Sequence, residues 1–188
     1  MPTPMTRLRT LAGRVSAEAA AARVLWQAGI FPRDPGALRT GMKALAQLGQ
    51  LGGLPAYCAA AYPDRTAIVD DRGTLSFPAF AERCHRLANA LRAEFPGGRP
   101  SIGIMCRNHA DAVVTLCATG AAGARVVLLN SDFGPRQVEQ VAAREKLDAI
   151  VYDDDFATAV AAFTGPTWCA WHPDAEPANA LGALLERA

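Results

Sequence analysis

Cys106 and His109 come closest, in residue type and spacing, to a catalytic pair. A cysteine thiolate acts as a nucleophile when a neighbouring histidine takes its proton. The two residues stand three positions apart, where an apolar run gives way to a helical pattern. The sequence offers no third group nearby that would orient the histidine. We therefore favour a structural interpretation, in which His109 lies in the first turn of a helix capped by Asn108.

Three consecutive carboxylates, Asp153, Asp154 and Asp155, are the strongest candidate for a divalent-metal cluster. Carboxylate oxygens are the ligands that hard cations such as Mg²⁺ prefer. The same triplet follows an apolar run and precedes a helical pattern, and aspartate is favourable at the N-terminal end of a helix. We favour the helix cap over the metal cluster.

Gly120 and Gly123 could belong to a dinucleotide-binding loop. Such a loop carries Gly-x-Gly-x-x-Gly directly after a strand, where it opens a helix. Here the glycines stand at the far end of a helical pattern, which predicts a helix C-terminus and close helix packing. Trp168 and Trp171 are predicted to pack and not to bind a ligand. The loop 130–133 follows a strand at the end where open α/β sheets bind ligands, but we assign it no catalytic role.

A regular alternation of strands and helices positions these candidates. The patterns predict strands near 66–70, 74–76, 101–106, 125–129, 148–152 and 167–171, and helices near 77–94, 109–122, 135–145, 155–162 and 178–187. This alternation predicts an α/β fold with a mostly parallel, doubly wound sheet.

The first 60 residues carry helical patterns only and predict an α-helical N-terminal extension. One helix is expected from Ser16 to about Ala28, where Gly29 ends it. A second helix begins near Ala37 and is predicted to break at 52–55 (Gly-Gly-Leu-Pro), which leaves a short helix over 55–61. We therefore divide the chain into an extension over 1–60 and an α/β domain over 61–188.

Several short segments support a family assignment through their order and spacing. They are Pro63-Asp64-Arg65, Ala67-Ile68-Val69, Leu75-Ser76-Phe77, Phe80, Arg107-Asn108-His109, Gly120-Ala121-Ala122-Gly123-Ala124, Leu128-Leu129-Asn130 and Tyr152-Asp153-Asp154-Asp155-Phe156. From about residue 22 to 188 the chain resembles the N-terminal end of the adenylate-forming, AMP-dependent synthetases, and within them the fatty-acyl-CoA synthetases. The resemblance implies ATP, Mg²⁺ and CoA as requirements of an intact member, which converts a carboxylic or fatty acid into acyl-CoA, AMP and pyrophosphate.

The phosphate-binding loop that the resemblance implies, rich in Ser, Thr and Gly and ending in Pro-Lys-Gly, has no counterpart here. The glycine-rich segments 52–55 and 97–100 contain no lysine and no hydroxyl, and the only lysines are Lys43 and Lys146. We therefore predict a partial AMP-binding-enzyme domain with no catalytic, cofactor-binding or metal residue, inactive as this chain alone. The alternatives are a non-catalytic truncated or split protein that pairs with a separate C-terminal remainder, and an unrelated small α/β nucleotide-binding domain.

The net charge and the cysteines indicate which partners the protein can bind and in which cellular compartment it is found. The net charge of +1 argues against a dedicated nucleic-acid binder. Five cysteines without a Cys-x-x-Cys motif predict reduced thiols in the cytoplasm, at positions Cys58, Cys84, Cys106, Cys117 and Cys169.

The charge is also unevenly distributed, because residues 1–60 hold seven Arg or Lys and two Asp or Glu. Together with an apolar stripe on the second helix, this excess predicts that the segment 1–52 adsorbs weakly to anionic membranes. The stripe consists of Leu38, Met42, Leu45 and Leu48. The alternative, which we favour from the sequence, is that the stripe docks on the α/β body. A chain stopping at residue 188 is also expected to leave Val126–Leu129 and Ile150–Tyr152 uncovered, and hence to be marginally stable or to need a partner.

Overall fold

The computed structural model describes residues 17–32, 34–172 and 179–186, in which strands and helices alternate. Helix α1 covers residues 17–27. The elements that follow are α2 (Pro35–Ala61), β1 (Thr66–Asp70), β2 (Gly73–Ser76), α3 (Phe77–Glu94), β3 (Ser101–Met105), α4 (Ala110–Ala121), β4 (Arg125–Leu128), α5 (Pro135–Glu145), β5 (Ala149–Asp153), a 3₁₀ turn (Asp154–Phe156), α6 (Ala157–Val160), β6 (Thr167–Trp171) and α7 (Leu181–Glu186). The predicted α/β fold class is confirmed. The predicted cap Ser16 and the predicted helix ends at 178 and 187 lie outside the described residues.

Four strands form a parallel sheet in the order β4-β3-β5-β6, beside a separate antiparallel hairpin of β1 and β2. Strand β3 lies in the interior of this sheet, where Ile104 pairs with Leu128 of β4 on one side and Val151 of β5 on the other. Strands β3 and β5 are buried along their whole length. Their continuous apolar sequences are therefore those of strands covered on both faces.

The two faces of the sheet carry two separate hydrophobic cores. Ile102 and Val151 point into a core completed by α3, α4 and α7. Met105 and Ile150 point into a second core, completed by α5, the 3₁₀ turn and α6. Because neighbouring strand residues alternate between the two cores, the sheet is covered by helices on both sides, as the doubly wound prediction requires.

Helix α2 bends back on itself at Gly49, which has φ +73° and ψ 177°. A Cβ on Gly41 would lie 2.5 Å from the Tyr57 ring, and one on Gly53 would lie 2.6 Å from the Ala44 carbonyl oxygen. These approaches pair the arm 35–48 with the arm 50–61 as an antiparallel helical hairpin. None of the described helices is both long and apolar enough to cross a membrane.

The break predicted at 52–55 is therefore wrong in position. Gly52 and Gly53 are buried inside the second arm, and Pro55 is buried with them. A Cβ on Gly52 would meet the backbone nitrogen of Ala121 in α4 at 2.5 Å, so the missing side chain permits close helix contact instead of a turn. Gly49 makes the turn because its φ and ψ lie in a region that is essentially restricted to glycine.

The uncovered sheet edge is found at only one of the two predicted places. Strand β4 forms an edge of the four-stranded sheet, and Leu128 in it is 69% exposed. The expectation for Ile150–Tyr152 is wrong, because β5 lies between β3 and β6 and these residues are buried. The chain supplies its own cover for β5 through α5 and α6.

Candidate functional site

The carboxyl ends of β3 and β5 open into a cleft with two parts, which share Val69 and the segment 107–109. The acidic pocket has a volume of about 440 Å³ and is lined by Val69, Asp70, Asp71, Arg107, Asn108, His109, Asp153, Asp155 and Trp171. The apolar groove has a volume of about 460 Å³ and extends past Val113 to Leu128. Open parallel sheets place ligand sites at this end of their strands, so this cleft is the candidate site.

Asp153, at the end of β5, holds the loop that follows β3. Its Oδ1 lies 2.8 Å from His109 Nε2, and its Oδ2 accepts the backbone N–H of Arg107 at 2.6 Å. The side chains of His109 and Asp153 are both buried. The triplet lies where the cap prediction puts it, with Asp153 at the N-cap position and Asp154 and Asp155 in the first turn of the 3₁₀ helix, but the Asp153 carboxylate makes no cap bond and turns back to the 107–109 loop.

His109 is itself the N-cap of α4, which corrects the prediction of Asn108 in that role. His109 Nδ1 accepts the backbone N–H of Ala112 at 3.3 Å, so Nε2 must carry the proton that it donates to Asp153. In this tautomer both ring nitrogens are already used. His109 therefore has no lone pair free to take a proton from a nucleophile.

The group that orients His109, which the sequence did not reveal, is Asp153. Cys106, His109 and Asp153 each have one possible ligand atom, and these three atoms lie within 4.8 Å of one another. A metal at this point would have to displace the bonds that His109 and Asp153 make to each other and to the backbone. Burial, followed by the charge of Asp153, raises the pKa of the Cys106 thiol, so it stays protonated at neutral pH. A protonated thiol is not a nucleophile.

The start of α4 is occupied by side chains from the β1–β2 hairpin. Asp70 Oδ2 accepts the backbone N–H of Ala110 at 2.9 Å, and this bond, together with one from the Arg72 N–H, lowers the pKa of Asp70. Asp111 in the first turn is buried and pairs with Arg72 and Arg83. An anion approaching this helix end would therefore meet carboxylates in place of free N–H groups.

Arg72 also packs against Trp171, which lines the acidic pocket. Its guanidinium stacks 3.9 Å from the centroid of the Trp171 ring, and that ring lies 4.9 Å from the His109 ring. Trp168 instead packs edge-on against Phe95 in the core. The packing prediction thus holds for Trp168, whereas Trp171 lines the candidate site.

The remaining sequence candidates have local structural roles. Asp155 pairs with Arg107 on the surface, and Asn130 accepts the Asp132 N–H in a local turn. Gly123 has φ +77°, and a Cβ on Gly120 would lie 3.1 Å from Leu51. The predictions of a helix C-terminus and close helix packing are confirmed for these two glycines.

Comparison with known proteins identifies the family of this α/β scaffold. Residues 56–179 match the AMP-binding enzymes. The chain belongs to that family. The match begins near the proposed boundary at residue 60, so most of the helical extension of this AMP-binding family member lies upstream of it.

Curated relatives of this AMP-binding family member are much longer than the chain. It is 32% identical to feruloyl-CoA synthase of Amycolatopsis over 114 residues, and this aligned segment covers 60% of this chain and 23% of the relative. It is 26% identical over 101 residues to a medium/long-chain-fatty-acid–CoA/3-oxocholest-4-en-26-oate–CoA ligase of Mycobacterium marinum, which covers 54% of this chain and 18% of the relative. The matched segment is thus about a fifth of each relative.

The fold has solved counterparts as well. O-succinylbenzoate coenzyme A synthetase from Bacillus subtilis, in complex with AMP, superposes with a TM-score of 0.58 at 19% identity. The superposition covers 71% of this chain and 32% of that structure. At this identity the likeness establishes the shared adenylate-forming fold.

The residues of the acidic pocket do not suit a nucleotide phosphate. Its lining contains four aspartates against one arginine, Arg107, whose side chain is already paired with Asp155. Clustered carboxylates repel phosphate oxygens. This pocket is therefore poorly suited to hold a phosphate group.

Proposed function

We propose that this chain is the N-terminal part of an acyl-CoA synthetase-like ligase and is inactive without the residues that follow it in longer relatives. The reaction of such a ligase joins a carboxylic or fatty acid to CoA. A carboxylate oxygen attacks the α-phosphorus of ATP and pyrophosphate leaves; the CoA thiolate then attacks the acyl carbon and AMP leaves. The match of residues 56–179 to the AMP-binding enzymes carries the family part of this proposal.

Two features of the chain support its inactivity alone. The sequence has no Ser/Thr/Gly-rich loop ending in Pro-Lys-Gly, and its two lysines, Lys43 and Lys146, are both exposed and outside the cleft. In the cleft, the pairing of His109 with Asp153 and the protonation of Cys106 occupy the base and the nucleophile that the sequence suggested. ATP, Mg²⁺ and CoA are requirements of the whole ligase in this proposal, with no binding residue in this chain.

The partner we propose is the remainder of such a ligase, supplied in the same or a separate chain. The edge strand β4 and the apolar groove beside it, with Val69 and Leu128 exposed, are where we expect that remainder to pack. We place the protein in the cytoplasm, which the five free thiols support. The unrelated nucleotide-binding domain is no longer supported, because the chain belongs to the AMP-binding family.

Pyrophosphate release by purified residues 1–188 tests the inactivity. With ATP, Mg²⁺, CoA and either palmitate or ferulate, we expect the rate of a buffer blank, while a complete feruloyl-CoA synthase in the same assay shows that it works. A rate well above the blank would refute the proposal. Sequencing downstream of codon 188 tests the remainder, since an in-frame segment ending in Pro-Lys-Gly would support a cis-encoded ligase.

A further inference from the structure

The helical extension concentrates the exposed apolar surface of the molecule. Eight of the eleven exposed large apolar side chains among the described residues lie between residues 24 and 54. Every residue from 17 to 30 is exposed, including Val24 at 62% and Trp26 at 57%. An ordinary surface helix buries one apolar stripe, so the exposure of α1 indicates a helix that no other part of the described chain covers.

This surface is held in place by the fold. The Tyr57 hydroxyl donates to the Ile30 carbonyl at 2.8 Å, and the Tyr62 hydroxyl donates to the Gly29 carbonyl. Gly29, with φ +71°, ends α1 at this point. The end of α1 that carries Trp26 is therefore attached to the second arm of α2, and the exposed apolar residues of both helices belong to one body.

The same extension carries the positive charge of the chain. Residues 1–60 hold seven Arg or Lys against two Asp or Glu, whereas residues 61–188 hold twelve against sixteen. Arg23, Arg39 and Lys43 are exposed, and the ion pairs found among the described residues involve none of them. Their charge is therefore available to an anionic surface outside the chain.

We propose that the helical extension docks on an anionic lipid bilayer, with Trp26 and its apolar neighbours at the headgroup level and the basic residues over the lipid phosphates. A bilayer offers an anionic layer directly above an apolar phase, which is the combination that this extension presents. Tryptophan is enriched at that depth because its ring is apolar and its N–H is polar. A second copy of the chain would instead bring two positively charged surfaces together. The predicted stripe is only partly covered, because Leu38 and Leu45 are half-buried whereas Met42 and Leu48 are exposed, so part of it remains available for this docking.

Co-sedimentation of the full chain with vesicles tests this docking surface. We expect binding to vesicles of equal phosphatidylglycerol and phosphatidylcholine, much weaker binding to phosphatidylcholine alone, and loss of binding in high salt. Arg39→Gln/Lys43→Gln should weaken the partition coefficient by up to about 30-fold, at about 1 kcal/mol for each charge near the surface. Arg136→Gln/Lys146→Gln removes the same two residue types from exposed positions on the α/β part and should leave binding unchanged.

Two valine substitutions measure the contribution of apolar side chains to vesicle binding separately from that of charge. Val24→Ser should weaken binding by about 5-fold, while Val69→Ser in the hairpin, which is 72% exposed against 62% for Val24, should not. The unmodified protein gives a further readout, since brominated phosphatidylglycerol should quench the exposed Trp26, and Trp26→Phe should remove that quenching.

Equal binding to both vesicle types, or equal losses within a matched pair, would overturn the proposal. So would a concentration-dependent dimer that Val24→Ser abolishes, if it formed without any binding to lipid. None of these outcomes depends on ligase activity, so the docking surface and the proposed function are tested separately.

Discussion

Replacing Asp153 with alanine should be the most damaging single change in the candidate site. Its carboxylate is 4% exposed, accepts hydrogen bonds from His109 Nε2 and the Arg107 N–H, and joins the end of β5 to the loop after β3. A hydrogen bond to a buried charged group contributes about 1.5–3 kcal/mol. Removal of the Asp153 carboxylate loses two such bonds and leaves the His109 Nε2–H and the Arg107 N–H without a partner. We therefore expect Asp153→Ala to lower the free energy of unfolding by about 3–5 kcal/mol.

Asp155→Ala provides a matched control two residues away. Asp155 also accepts a bond from Arg107, at 2.8 Å from Nε, but its side chain is 59% exposed. An exposed ion pair contributes about 0–1 kcal/mol. Both substitutions remove one carboxylate from the same segment, so the difference between them reports burial and not net charge.

Urea unfolding followed by far-ultraviolet circular dichroism measures the difference. The midpoint should fall for Asp153→Ala at an unchanged m value, and Tm should fall by about 6–20 °C, at about 2–4 °C per kcal/mol for a chain of this size. If Asp153→Ala does not fold, Asp153→Asn keeps one acceptor oxygen and should show about half the loss. A loss for Asp153→Ala within about 1 kcal/mol of that for Asp155→Ala would refute the assigned role of this carboxylate.

Three further outcomes follow from the structure. Gly49→Ala should cost about 1–3 kcal/mol in urea unfolding, because φ +73° with ψ 177° is strained for alanine, whereas Gly98→Ala, whose Cβ would meet nothing nearer than 3.7 Å, should be neutral. Because the pKa of Asp70 is lowered in the folded chain, its ionised carboxylate stabilises the fold above about pH 4, and this contribution is lost as the pH falls through the lowered pKa. Asp70→Asn should therefore make the free energy of unfolding depend less on pH on the acid side. Burial raises the pKa of Cys106, so iodoacetamide at pH 8 should alkylate this thiol far more slowly in the folded chain than in urea. Peptide mass spectrometry measures the two rates, and equal rates would contradict this prediction.

The sequence predicts the sheet well because each strand leaves a distinct local pattern. Residues 101–105 and 149–153 are nearly continuous apolar runs, and such runs are typical of strands buried on both faces. Helix α3 has the predicted bounds 77–94, with Pro78 in its first turn, and the structure adds Ser76 as its N-cap. These signals need no information from distant parts of the chain.

The position of the bend in α2 could not be predicted from the sequence, because three nearby glycines could each have formed it. Gly49, Gly52 and Gly53 are equally permissive locally, and the Gly52-Gly53-Leu54-Pro55 segment is the stronger breaker signal. The contact of Gly52 with Ala121, and of Gly53 with the first arm, decides the outcome. Those contacts join residues far apart in the chain, so they follow from packing and not from propensity.

The candidate site is missed for a related reason. His109 and Asp153 are separated by 44 residues, and only the parallel pairing of β3 with β5 brings the ends of these strands together. Once that strand order is known, the meeting of the two side chains is expected, because parallel strands end at the same edge. The strand order itself is not encoded in local periodicity.

The polar residues at this sheet edge argue for a supporting function of the chain. In open α/β proteins this edge supplies ligand-binding groups, and such groups need free donors, free acceptors or a shifted pKa near neutrality. Here His109, Asp153 and Asp70 use their hydrogen-bonding atoms on the backbone or on one another, and Cys106 remains protonated. Side chains committed in this way fix the position of a loop and are not free to act on a substrate. This is the physical reason for proposing that the chemistry of the ligase belongs to residues outside this chain, which these ordered strand ends would then support.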